Sequence, residues 1–332
     1  MPAVKELNFK FRFVRNKNPI GVFAKNAIAT DKVLILDQEP IDYADIRDSN
    51  CRDQRLAFTL SPGASVGEKT RDSLHEENLL VLEVSRVKGT ELEKHIDRVS
   101  SAIQTEQHRQ ELIEAGQADR FHSVVCSNCQ ATIDLSDFNR TSYVYCRYCE
   151  SLIKYSGGIV TPGDSYRICD ECGMFDRVRG YTLLHFYFLI VVYGYSARRI
   201  HVCDNCAVRM AKGALLRNLL FLFGVPSAIY MWVKAVTGRD KSLQALARAN
   251  ALARKGKFKE ADEIYVQFSG AYPEHPAILR NRSLGHLYGN NINAAMTLLS
   301  RSLKSCNNYL PSLLLARRLK QVASRVGGQK HA

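Results

Sequence analysis

The chain has 332 residues, 46% of them apolar and 24% charged, with 46 Lys and Arg against 33 Asp and Glu and a formal charge of +13. That length allows two or three domains, and the composition excludes a chain too polar to build a core. The positive surplus suits anionic partners, but no long Lys/Arg block ties it to nucleic acid.

The amino terminus, MPAVKELNFKFRF, alternates charged and apolar residues without an uninterrupted apolar run. Neither a secretory signal nor a membrane anchor is expected there, and the reducing cytoplasm becomes the expected compartment. Residues 1–118 then offer the short runs FKFRFV, IGVFAK, KVLILD, LAFTLS and LLVLEV, whose β-branched and aromatic content reads as strand. A helix follows with Leu92, Ile96, Val99 and Ile103 on one stripe. Strands followed by a closing helix resemble a pleckstrin-homology-like fold, and KVLILDQEPIDYADI is similar to one of its strand–turn–strand units. The resemblance implies a small β-barrel that binds peptides or phosphoinositides. The polar run TEQHRQELIEAGQADR is expected to continue the helix as a linker.

Eight of the ten cysteines fall in four C-x-x-C pairs: Cys126/Cys129, Cys146/Cys149, Cys169/Cys172 and Cys203/Cys206. In a reducing compartment such spacing points to metal before disulfides. Two thiolates two residues apart in a tight turn both reach one ion at about 2.3 Å, and a second such turn completes a tetrahedron. Sixteen residues separate Cys129 from Cys146, and ATIDL, SDFNR and TSYVY between them read as a connecting hairpin. This resembles a zinc ribbon. Thirty residues separate Cys172 from Cys203, which suits a second ribbon with long strands drawn from HFYFLIVVYGY and RRIHV. A cross-braced pairing is the competing arrangement, but the nineteen residues between Cys149 and Cys169 are too many for a RING-type module. Two Zn2+ ions are expected. All-cysteine sites are closed to water and substrate, so their role is structural. Cys51 and Cys306 stand alone as small apolar side chains, and His122 and His201 lie near the knuckles as surface or supporting residues.

Two apolar stretches raise the question of a membrane. Tyr181–Ser196 cannot span a bilayer if Cys169/Cys172 and Cys203/Cys206 share an ion, so it reads as strand. Leu219–Val233 would reach only about 22 Å as a helix against roughly 30 Å of hydrocarbon. Gly224 and Pro226 should kink or split it. It is expected to pack as a kinked helix, with a membrane surface as the alternative contact.

From Ser242 the texture becomes alanine- and leucine-rich. Ala249, Leu252, Gly256, Ala261, Tyr265 and Pro273 stand at the spacings of a tetratricopeptide repeat, which the segment resembles. Gly289 to Ala294 repeats Gly256 to Ala261 at a period of 33 residues, and PSLLLARRLKQVASRV would cap the stack. The resemblance implies a groove for a protein or peptide partner.

The chain therefore reads as a multidomain α+β protein. Residues 1–118 form a β-rich barrel with its helix, 119–160 and 161–213 two zinc ribbons, 214–240 the apolar kinked helix, and 241–332 α-helical hairpin repeats. No Gly-rich phosphate loop, nucleophile elbow or H-E-x-x-H motif is present, and no enzyme is expected. A zinc-binding scaffold or adaptor is the leading function. Nucleic-acid binding is the alternative, because Arg140, Arg147 and Lys154 interleave with Tyr143, Tyr145, Tyr148 and Tyr155 on the first ribbon. Attachment to a membrane surface through Leu219–Val233 is the third class.

Overall fold

Alternation in the first strand sets the amino-terminal fold. Phe9, Phe11 and Phe13 of β1 (Leu7–Arg15) are buried, while Lys10 between them is exposed. The structure, a computed structural model, describes residues 6–16, 18–52, 54–155, 166–189, 192–217, 225–237 and 244–328. It divides into two compact units, Met1–Asn139 and Arg140–Ala332.

In the first unit the short β2 (Asn18–Pro19) pairs with β1. β3 (Lys25–Ala29), β4 (Val33–Leu36) and β5 (Glu39–Asp42) continue from β1 as an antiparallel meander. β6 (Ile46–Arg52), β7 (Arg55–Leu60) and, after the short α1 (Glu68–Asp72), β8 (Leu79–Val84) form a second meander, which joins the first through β1 and β8. The order is β5-β4-β3-β1-β8-β7-β6. The expected barrel is corrected: the sheet is open, and β5 and β6 do not close on each other.

The reason lies in α2 (Arg86–Glu114), which packs on β6, β7 and β3. Its side chains answer the outward backbone groups of the β6 edge. Glu93 accepts from the Cys51 N–H at 2.7 Å, and Gln104 Nε2 donates to the Ile46 carbonyl at 2.6 Å. A sheet edge satisfied in this way needs no further strand. Leu92, Ile96 and Val99 of the helix are buried in the sheet's core, with Ile103 packed against it.

The polar end of α2 is no free linker. It packs on β10 (Thr132–Asp134), which pairs with β9 (Ser123–Val125). The Thr132 N–H donates to Ser101 Oγ at 2.9 Å, and His108 Nδ1 lies 2.5 Å from Asp134 Oδ2. That contact raises the His108 pKa.

The second unit begins with the hairpin β11 (Tyr143–Tyr145) and β12 (Leu152–Lys154). Strand pairing therefore runs within each C-x-x-C turn, β9 with β10 and β11 with β12, rather than through a hairpin between ATIDL and TSYVY. β13 (Tyr166–Ile168) pairs with β14 (Phe175–Leu189), and β14 pairs with β15 (Val192–Cys203) from Val178↔Cys203 to Leu189↔Val192. The described residues of Tyr181–Ser196, 181–189 and 192–196, thus lie in two long paired strands, as the strand-rich composition predicts.

Two described helices follow. α3 (Asp204–Arg217) starts directly from β15, and α4 (Val225–Thr237) has Pro226 in its first turn, where a missing N–H costs nothing. Leu219–Gly224, the first part of the apolar stretch, lies outside the described residues. Among the described residues no helix is long and apolar enough to cross a membrane.

α5 (Gln244–Arg254), α6 (Phe258–Ala271), α7 (Pro276–Tyr288), α8 (Ile292–Ser305) and α9 (Leu310–Gly328) complete the unit. α6 and α8 start and stop 34 residues apart, as do the starts of α7 and α9. The turn bonds Gly256 N–H to Ala253 O and Lys257 N–H to Leu252 O recur as Asn290 to Leu287 and Asn291 to His286. The structural period is therefore one residue longer than the 33 read from the Gly256/Gly289 match. Gly256 (φ +75°) corresponds to Asn290 (φ +57°), since both residue types tolerate the left-handed turn position. Gly289, at φ −88°, is small for another reason: a Cβ there would lie 2.3 Å from the Phe258 ring.

Candidate metal centres

The first three cysteine pairs build one kind of turn. The first cysteine N–H of each donates across the turn, Cys126 to Ala131 O, Cys146 to Ser151 O and Cys169 to Met174 O, all at 2.9 Å. The residue after the second cysteine takes positive φ: +64° at Gln130, +59° at Glu150 and +66° at Gly173. Glycine suits this position at Gly173, whereas Gln130 and Glu150 adopt it under constraint. The fourth pair differs. Cys203 ends β15 and Cys206 lies in the first turn of α3, where unpaired backbone N–H groups favour a thiolate.

The sulfurs assemble pair by pair along the chain. Cys126, Cys129, Cys146 and Cys149 form one group and Cys169, Cys172, Cys203 and Cys206 another, with all four sulfurs of each within 4.8 Å of one another. Cross-bracing is thereby set aside. A tetrahedron with metal–sulfur bonds of about 2.3 Å has edges of about 3.8 Å. The Cys172–Cys203 sulfurs stand 3.9 Å apart, so the donor set fits a bound ion. Both groups fit zinc-ribbon-like sites. Cys126, Cys129, Cys146, Cys169, Cys203 and Cys206 are buried, and Cys149 and Cys172 partly so. Hydrogen bonds from Cys172, then Cys203 and Cys206, hold the Cys169 thiol far below its ordinary pKa, and the Cys203 N–H adds a contact to its sulfur at 3.3 Å.

Arg254 of α5 donates from Nη1 to Cys206 Sγ at 3.1 Å. Burial works against its charge, but the Cys206, Cys172 and Cys203 sulfurs outweigh that and raise its pKa. A guanidinium beside four thiolates offsets the net negative charge that such a site retains around a divalent ion. Asp204, one residue after Cys203, accepts from Arg179 Nη2 at 2.6 Å and from the Tyr181 hydroxyl at 2.8 Å, anchoring the start of α3.

Around these turns the helices supply side chains in the role of strands. Asn281 of α7 accepts from the Phe175 N–H at 2.9 Å and donates to the Phe175 carbonyl at 2.7 Å. Asn308, between α8 and α9, does the same to Tyr145 at 3.0 and 2.9 Å. Arg280 Nη1 donates to the Gly173 carbonyl at 2.6 Å, and the Tyr143 hydroxyl donates to the Pro273 carbonyl at 2.9 Å. Asn250 joins Phe175 O, Asp176 and Tyr265 into one buried network. Burial pushes the Asp176 carboxyl up to about 6, against the Asn250 hydrogen bond. His275 packs between Tyr143 and Phe175, and burial lowers its pKa to about 4. Asn281 and Asn308 thus hold β14 and β11 of this same chain.

The remaining candidates find plainer places. Cys306 is buried, its thiol pushed up to about 12 by burial, and Cys51 is half-buried. His122 and His201 belong to neither sulfur group; His122 Nδ1 meets the Arg120 carbonyl at 3.1 Å. On the first ribbon Arg147 lies over Tyr148 and Arg140 over Tyr155, while Tyr143 and Tyr145 are buried among the helices. No protein-family model matches the chain, and no curated protein or solved structure shows significant similarity to it.

Proposed function

We propose that this protein is a non-enzymatic scaffold held in shape by two structural Zn2+ ions, with tetratricopeptide-like repeats that bind a protein partner. The observation that carries the reading is the pair of four-sulfur groups, since four thiolates fill a tetrahedral zinc site and leave no position for substrate. Eight reduced thiols suit a reducing compartment such as the cytoplasm. The 34-residue recurrence of helices and turn bonds supports the repeat reading. The strand order of the amino-terminal sheet, followed by its packed helix, supports the pleckstrin-homology-like resemblance.

The repeats already hold this chain's own strands through α5 and α7, so an external partner takes the continuation of that row. By the 34-residue offset Leu310 and Leu314 of α9 correspond to Pro276 and Arg280, and both leucines are exposed. An extended apolar segment of a partner protein fits there. The test compares proteins retained by the zinc-loaded chain with those retained by Leu310→Asp/Leu314→Asp. Loss of specific partners in the variant supports the reading; identical retention by both chains removes it.

A further inference from the structure

Beyond the scaffold reading, we infer that α4 seats this protein on an anionic lipid surface. The helix is apolar on two sides. Ala228, Met231 and Ala235 are buried, and Met231 and Ala235 pack with Val178, Tyr181, Ile200 and Val202. The opposite side exposes Ile229, Trp232, Val233 and Val236, spaced i, i+3, i+4 and i+7, with Tyr230 beside them at 69% exposure. A stripe of that spacing on a soluble surface helix is normally polar.

Charge identifies the occupant. The only charged residue of α4, Lys234, turns inward: Nζ donates to the Gly180 carbonyl at 2.9 Å and lies 5.2 Å from the Tyr181 ring centroid. Between Asp204, which is held by Arg179 and Tyr181, and Asp240, the sequence contains Arg209, Lys212, Arg217, Lys234 and Arg239 and no further Asp or Glu. Arg209 reaches Glu171 at 2.9 Å, and Lys212 is exposed. A second copy would bring the same cations together, which opposes self-association. An anionic bilayer takes both properties at once, apolar side chains in its headgroup boundary and cations against its charge. Thirteen residues of helix reach about 20 Å, short of the roughly 30 Å core, so α4 lies in the interface rather than across it. Tyr and Trp are the residues enriched at that depth. Arg179 Nη2 also fixes the Lys234 carbonyl at 2.7 Å, so the face is already ordered and little entropy is lost on docking.

Trp232 is the only tryptophan of the chain, which makes the test direct. The full zinc-loaded chain is titrated with vesicles of phosphatidylcholine alone or mixed with phosphatidylglycerol. A blue shift of Trp232 emission and quenching by brominated acyl chains are expected with the anionic vesicles only. Ile229→Asp/Val233→Asp, which keeps the reporter and alters exposed positions, should weaken partitioning about tenfold or more. Unchanged emission with anionic vesicles overturns the inference, as does equal binding to neutral ones. A lipid-independent shift that rises with protein concentration, with a dimer in sedimentation velocity, assigns the face to a second copy and overturns it too.

Discussion

Replacing Asn281 with alanine tests whether the helices hold the second sulfur group by main-chain clamping. Asn281 is fully buried, and its amide carries three hydrogen bonds: two to Phe175 and one from Nδ2 to Asn250 Oδ1 at 2.9 Å. In the variant the Phe175 carbonyl keeps Asn250 Nδ2 at 3.0 Å, and Asn250 Oδ1 keeps the Tyr265 hydroxyl at 2.6 Å. The Phe175 N–H loses the acceptor that Asn281 supplied. An unsatisfied buried donor costs about 1–3 kcal/mol and each partly replaced bond about 0.5 kcal/mol, for a total near 3 kcal/mol. Guanidinium unfolding of the zinc-loaded chain measures that loss, and hydrogen exchange at the Phe175 amide reports it locally. Asn308→Ala removes the corresponding clamp on Tyr145, and the two losses should add within about 0.5 kcal/mol because they grip separate strands. An Asn281→Ala chain as stable as the parent, with Phe175 still protected, would refute the reasoning.

Metal analysis of the purified chain should return two zinc ions; Cys203→Ser should keep one, and Cys126→Ser the other, each site contributing on the order of 10 kcal/mol to folding. Fewer than two ions in the parent defeats that expectation. Asp176→Asn gives a pH signature. The folded carboxyl titrates at about 6 and the unfolded one at 3.8, so the stability owed to its proton is complete below 3.8 and lost as pH rises through 6. The ionised group costs about 3 kcal/mol at high pH, roughly half of it incurred between pH 5 and 7.5. Asparagine forfeits one acceptor at every pH, so the measurement is the slope: the variant should gain on the parent by about 1.4 kcal/mol from pH 5 to 7.5. Parallel profiles would show that Asp176 is not held protonated.

How much of this was legible in the chain depends on what carried the signal. The cysteine spacing announced two four-sulfur sites, because two-residue separation is a requirement of the chemistry itself, but it left a cross-braced pairing open until the sulfur positions excluded it. β1 shows apolar alternation, and β4, β7 and β8 are short runs rich in apolar and β-branched residues, so all four were legible directly. β6, with the sequence IRDSNCR, was missed because an edge strand satisfied by Glu93 and Gln104 needs no apolar face. IGVFAK was read as strand on composition, yet Gly21 takes φ +80° and Val22 and Phe23 are exposed ahead of β3. The repeat register slipped by one because Gly289 resembles Gly256 in type but not in conformation. Asn250, Asn281 and Asn308 gave almost no sequence signal: their partners are peptide groups of residues 75, 106 and 163 positions away. A lone asparagine inside ARANALAR was the one available hint, since burying an amide in an alanine-rich helix demands a partner.

A carboxamide that grips a peptide unit ignores which side chain that unit bears, so aromatic packing alone limits the choice of residue at 145 and 175. Alignment is another matter. Sliding either strand by a single residue would turn the neighbouring N–H and C=O to the far side, leaving Asn281 or Asn308 facing nothing. Each asparagine therefore works as a gauge that admits one offset between helix and knuckle, and so dictates where the adjoining thiols come to rest.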